Sequence, residues 1–205
     1  AIITYLIILM KKRKYLLNSA GKFHNFEVGR ELLKKNQLSK IISGYPWFKL
    51  KKEGIPKKFV EANGLIRILR EPIIKLRSFK QIDHLLNIYG LQKIDKITSK
   101  IIDKDDEIDV LIAQSSCGLE SGKNTKNKGK LYVCDRTSTH IDFQNNILQE
   151  EYKTLNLDYI PMNNWYLDRE RKEYEEADMI LVPSNFNKST FGDNLNDKVK
   201  VLEFG

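Results

Sequence analysis

The chain has 205 residues, 41% of them hydrophobic and 30% charged, with a formal net charge of +8. That balance excludes a disordered chain, which buries too little apolar surface to offset the entropy of ordering, and the length is enough for a sizeable core. The positive charge favours anionic partners (nucleotides, phosphorylated sugars, acidic lipid surfaces, nucleic acid) without choosing among them. Cys117 and Cys134 lie far apart with no CxxC spacing, which fits reduced, buried thiols of a cytosolic protein.

The first residues, "AIITYLIIL", are apolar but too few to span a bilayer, which takes about 20. They precede the basic run "MKKRK", the reverse of a signal peptide. Residues 1–9 are expected to be a non-native upstream extension, with Met10 the true start. "KYLLNSAG" predicts a strand over Tyr15 to Asn18 and a turn at Gly21. A helix follows, with Phe26, Gly29, Leu32 and Leu33 on one face and Asn36 as its stop. Lys40 to Ser43 is a second strand. Strand, helix and strand in so short a span make a parallel crossover unit.

"YPWFKLKKEGIPKKF" breaks the pattern with two prolines and many lysines. Helical patterns then run over Leu65 to Leu76, kinked or broken near Pro72, and over Phe79 to Ile102. A strand is expected at Val110 to Ala113, a short helix after Cys117, and a strand at Lys130 to Cys134. Asp142 to Leu155 reads as a helix with Phe143, Ile147 and Leu148 facing inward. Tyr166 to Ala177 reads as another, rich in i,i+4 charge pairs. "DMILVPS" is a strand, "NFNKSTFGDN" a short helix and "VKVLEFG" the last strand. Alternating strands and helices imply an α/β fold, a parallel sheet with helices on both faces.

Open parallel sheets bind ligands beyond the carboxyl ends of their strands. That places four loops together: Ser19–His24, Ser43–Pro46, Gln114–Gly118 and Asp135–His140. The last is dense in hydrogen-bonding groups: a carboxylate, a guanidinium, three hydroxyls and an imidazole. The plainer alternative is that Asp135 caps the next helix and Arg136 forms a salt bridge. "CGLESGKN" imitates a phosphate-binding loop, but Gly118 and Gly122 are one residue too close and Asn124 replaces the hydroxyl, so Leu119 to Lys126 reads as an ordinary surface helix. The dinucleotide fingerprint GxGxxG is missing, and no Cys/His cluster has zinc spacing. His84, among apolar residues of a helical pattern, reads as structural.

Four stretches taken in order resemble the N-terminal, acceptor-side half of a GT-B-fold glycosyltransferase of family 4 (glycosyl transferases group 1). They are "GKFHNFEVGRELLKKNQLSKIISGYP", "DRTSTHIDFQNNILQEEY", "RERKEYEEADMILVPSNFNKSTF" and "VKVLEFG". The resemblance implies that residues 10–205 are a Rossmann-like domain, and that the C-terminal domain, which grips the nucleotide sugar, is absent from this chain. It implies a retaining hexosyl transfer from a nucleotide diphosphate sugar to a saccharide or lipid-linked acceptor, as in cell-surface polysaccharide biosynthesis, with no metal or further cofactor. His140 is the expected catalytic residue. Gly21, Lys22, His24, Arg136 and Ser138 are expected around the donor phosphates and the acceptor, and Arg136 would hold an anionic acceptor or a structural carboxylate.

Trp47, Phe48 and Phe59, interleaved with lysines over residues 46–59, suggest a peripheral contact with an anionic membrane. The alternative is a solvated loop with its aromatics tucked into the core. The expected location is cytoplasmic, at the inner membrane face where that contact is made, and no nucleic-acid partner is expected. Two rivals stand beside this reading: a non-catalytic Rossmann-like module whose basic face binds an anionic partner, and a nucleotide-dependent enzyme such as an epimerase.

Overall fold

The computed structural model describes residues 12–75, 80–159 and 161–203. The proposed extension 1–9, the start at Met10, and Leu76, Phe79 and Gly205 lie outside the described residues. Seven parallel strands form one sheet: β1 (Lys14–Ser19), β2 (Leu38–Ser43), β3 (Val60–Ala62), β4 (Ile108–Gln114), β5 (Leu131–Asp135), β6 (Met179–Val182) and β7 (Val199–Val201). Their order is β3-β2-β1-β4-β5-β6-β7, so the winding reverses between β1 and β4. At such a point the loops above the two strands diverge and leave a crevice.

Strand periodicity sorts the core into two layers. Leu16, Ile42, Ala113, Tyr132, Cys134 and Ile180 face one side of the sheet. Their neighbours Leu17 and Ile41 face the other. On the first side pack α4 (Lys80–Lys104), through Leu91, Ile94 and Ile102, and α7 (Asn164–Glu176), through Leu167 and Tyr174. On the second packs α1 (Asn25–Lys34), through Phe26. Gly29 brings α1 close to β2, because a Cβ there would come within 2.4 Å of Ile41 Cδ1. Asn36 ends α1 in the left-handed conformation at φ +55°, as its position predicts. Both thiols are fully buried, and burial pushes their pKa values well up.

Several expectations need correcting. β3 has only three residues, too short to show a periodicity. Helix α2 (Trp47–Leu50) and a 3-10 turn (Lys57–Phe59) occupy the lysine-rich stretch, where Trp47 and Phe59 pack partly against Leu50, Ile55 and Val60 while Phe48 is exposed. Helix α3 (Leu65–Lys75) runs through Pro72 for one more turn. Helix α5 (Leu119–Asn127) is not an ordinary surface helix. Leu119, Ser121, Gly122 and Thr125 are buried, and a Cβ on Gly122 would lie 2.4 Å from Tyr132 Cε1. On α6 (Ile141–Thr154) only Ile141 is buried, whereas Ile147 and Leu148 are exposed, 41% and 37%. Helices α8 (Asn185–Ser189) and α9 (Asp193–Asn196) are short and lead into β7.

Candidate functional site

The four loops close on one another at the carboxyl edge of the sheet. The Gly44 amide donates to the Ser19 carbonyl at 3.1 Å, tying β2 to β1. The Ala20 amide donates to Gln114 Oε1 at 2.9 Å, tying β1 to β4 across the switch point. The Ser115 amide donates to the Asp135 carbonyl at 3.0 Å, tying β4 to β5. The first loop also meets the last: His24 Nε2 lies 2.7 Å from Asp135 Oδ2. Both side chains are largely buried.

The first loop is held from inside. Ser19 Oγ and Ser43 Oγ both donate to the Gly21 carbonyl at 2.8 Å. Gly21 is buried, and Phe23 beside it is held at φ +31°. The Gly21 carbonyl is thus taken by the two hydroxyls. Lys22 turns away from the crevice to Glu53, 2.5 Å distant.

The fourth loop divides its residues by role. Arg136 is 7% exposed and spends its donors on protein: Nε on the Thr139 carbonyl (2.8 Å), Nη2 on Gln144 (2.6 Å), and Nη1 on Glu170 (2.9 Å) and Ser115 Oγ (3.3 Å). Of its two expected partners it has the structural carboxylate. Ser138 is half-buried beside it. His140, and not Asp135, caps the next helix: its Nδ1 accepts from the Asp142 amide at 3.2 Å. Its ring packs on Tyr174 and Phe191 with centroids 5.0 Å away. Burial pulls its pKa below the ordinary value, Arg136 and Arg171 add to that, and Asp142 opposes. A neutral imidazole whose Nδ1 accepts carries its proton on Nε2. His140 therefore presents Nε2–H as a donor.

Behind the loops, α7 turns its charges inward. Arg169, Glu170 and Glu173 are buried. Glu173 accepts from the amides of Ser116 (2.6 Å) and Gly118 (2.9 Å). Arg169 Nε donates to the Ser116 carbonyl at 2.8 Å, and its Nη2 contacts Asp95. Burial pushes Glu173 up to about 8, against the pull of Arg169 and the two amides. In the stretch "EYEEAD", Tyr174 donates to Glu170 at 2.6 Å and Asp178 accepts from the Tyr132 amide at 2.9 Å. This segment therefore sets loop and strand positions.

His24, Gly21, Arg136, Ser138 and His140 come together on one edge of the sheet, while Lys22 pairs outward. His84 lies elsewhere, edge-on to Tyr166 at 5.4 Å. The sequence reading missed the reach of Asp135 to His24, since loop-to-loop pairing leaves no local spacing.

No family model matches the chain, and no curated protein matches it. Solved structures do. UGT2 of Phytolacca americana, complexed with UDP-2fluoro-glucose and pterostilbene, is similar at 12% identity and a TM-score of 0.55, over 96% of this chain and 54% of its own. TcCGT1, in complex with UDP, is similar at 11% identity and 0.56, over 95% and 51%. A Listeria monocytogenes protein described as a UDP-N-acetylglucosamine 2-epimerase is similar at 8% and 0.50, over 91% and 43%. The chain spans about half the length of these structures. The likeness shows the fold, the Rossmann-like α/β arrangement found in GT-B glycosyltransferases.

Proposed function

We propose that the chain is the N-terminal, acceptor-side half of a nucleotide-sugar-dependent glycosyltransferase. It moves a hexose from a nucleotide diphosphate sugar to a hydroxyl of a saccharide or lipid-linked acceptor. The observation that carries this reading is the coverage: 96% and 95% of the chain, against 54% and 51% of two proteins solved with UDP-2fluoro-glucose or UDP. The crevice chemistry supports it. The Gly21 loop at the entrance to α1 suits a departing diphosphate, and His140 offers an Nε2–H to a sugar or acceptor oxygen. Among the described residues no helix is long and apolar enough to cross a membrane. A lipid-linked acceptor would be reached from the cytoplasmic face, with Phe48 and the exposed lysines of residues 46–59 at the lipid surface.

The resemblance to family 4 implies retention of configuration. One observation favours inversion instead. A buried carboxylate beside an imidazole, as Asp135 lies beside His24, is the arrangement that orients a general base toward a hydroxyl.

The test uses the full-length natural gene product, incubated with UDP-, ADP- and GDP-hexoses with and without acceptor saccharides. The expected result is nucleoside diphosphate release that needs an acceptor, with the anomeric configuration read by NMR. Conversion of the sugar nucleotide without an acceptor would make the protein an epimerase, and no consumption at all would make it a binding module. The 205-residue chain alone is expected to transfer nothing and to bind donors no better than millimolar.

A further inference from the structure

Arg67 has a buried Nε without a hydrogen-bond partner. A small cleft of about 60 Å³ is lined by Ala20, Gly44, Asn63, Arg67, Arg70 and Asn87, among others. Ala20, Gly44 and Asn63 directly follow β1, β2 and β3, so the cleft lies on the carboxyl edge of the sheet, beside the Gly21 loop. Two arginines of α3 line it, and they differ in what they have left to give. Arg70 is committed: Nε and Nη2 donate to Asp83 at 2.7 and 3.1 Å, and Nη1 donates to Asn87.

Arg67 is held but not used. Its guanidinium sits over the Tyr45 ring, 5.3 Å from the centroid. Its Nε lies 3.4 Å from Glu71 Oε1 and is buried without a hydrogen bond, and its Nη atoms have no hydrogen bond among the described residues. Glu71 is shared with Lys49, 3.3 Å away, so two cations face one carboxylate and one positive charge is left over. A guanidinium fixed by stacking, with an unfilled fork, is prepared for a carboxylate or phosphate, which it grips by two parallel hydrogen bonds.

We propose that this cleft is an anion subsite in which Arg67 binds a carboxylate or phosphate group of the sugar acceptor. The word acceptor rests on the glycosyltransferase reading; the anion site rests on the cleft. The geometry thus gives Arg67 the acceptor-anion role, since Arg136 is buried and already holds Glu170, Gln144, Ser115 and the Thr139 carbonyl.

The test titrates the 205-residue chain with glucose 6-phosphate, glucuronate and glucose while following arginine Nε–H signals by NMR. A saturable shift of the Arg67 signal with either anionic sugar and none with glucose is expected. Which anion binds decides between a phosphorylated and an acidic saccharide. Arg67→Ala should weaken binding by about tenfold or more, the loss of a charged hydrogen-bonding partner. Arg67→Lys should recover part of it, and Lys35→Gln, a change at an exposed lysine, should change nothing. Equal binding by Arg67→Ala, or an equal shift with glucose, overturns the subsite. In the natural gene product, transfer that is indifferent to Arg67→Ala overturns the subsite and leaves the transferase reading intact. Anion binding that depends on Arg67, in a protein that consumes no sugar nucleotide, does the reverse.

Discussion

The amide of Ser116 donates to Glu173 Oε2 at 2.6 Å, joining the β4–α5 loop to a helix 57 residues further along the chain. Ser116 has a left-handed backbone, φ +70°, which a non-glycine residue holds only when its surroundings impose it. Here α7 imposes it: Glu173 takes the amide, Glu170 the hydroxyl and Arg169 the carbonyl. Glu173→Leu would orphan two buried amides and leave Arg169 short of a partner. It should lower unfolding stability by about 3–5 kcal/mol in urea titrations. A loss under about 1 kcal/mol would show that the loop keeps its shape without the clamp.

Gly122 is the second test of packing. Its missing side chain leaves the space that the fully buried Tyr132 ring fills. Gly122→Ala should destabilise by about 1–3 kcal/mol through overpacking. Adding Tyr132→Leu should return part of that, because the smaller side chain vacates the clash. If the two changes simply add, the contact is not the cause.

His140 links pH to the start of α6. Its folded pKa is depressed, chiefly by burial, so the native state binds fewer protons than the unfolded chain. Its contribution is complete above the ordinary histidine value of 6.5 and is lost as pH falls below that toward the folded value. Protonation also fills the Nδ1 lone pair that accepts from Asp142. His140→Asn, a good cap without a titration, should flatten stability between pH 7 and 5. His140→Ala should cost about 1 kcal/mol near pH 7, the usual loss for a missing cap, and less as pH falls and the wild-type cap is itself protonated. Turnover separates the roles: if His140 touches the reacting sugar, both variants should fall about 100-fold in the full-length enzyme. Full turnover in His140→Asn would leave it as a cap.

The surface around Phe48 carries the membrane proposal. Lys51, Lys52, Lys57 and Lys58 are exposed there, as are Leu65, Ile68 and Leu69 on α3. Vesicles containing anionic lipid should sediment the protein at low salt, and salt should weaken the binding by screening. Changing the four lysines to Gln should abolish it. Sedimentation indifferent to those lysines would leave residues 46–59 as a plain loop, with Trp47 and Phe59 serving the core.

Six of the strands were legible because they are short apolar runs between helical periods; the last, read through "VKVLEFG", ends at Val201, and β3 was not expected. The four loops followed from topology alone. What escaped were matters of facing. A 3.6-residue period shows that α7 has a charged face, but not that this face turns inward to meet Ser116 and Arg136. In α6 the same period placed Ile147 and Leu148 inside, because it marks an apolar stripe whether or not anything covers it. Arg67 lies four residues before Glu71 and so reads as half of a surface pair; only the fold shows that Lys49 competes for that carboxylate.

Cys117 and Cys134 have a practical bearing on all these experiments. Thiol reagents attack the thiolate, and both sulfurs are fully buried with their pKa values pushed well up. Toward a maleimide the folded chain should behave as though it had no cysteine. A single cysteine introduced at Ser138 would then be the one labelled position, so that a fluorophore or spin label could report directly on the crevice with both native thiols left in place.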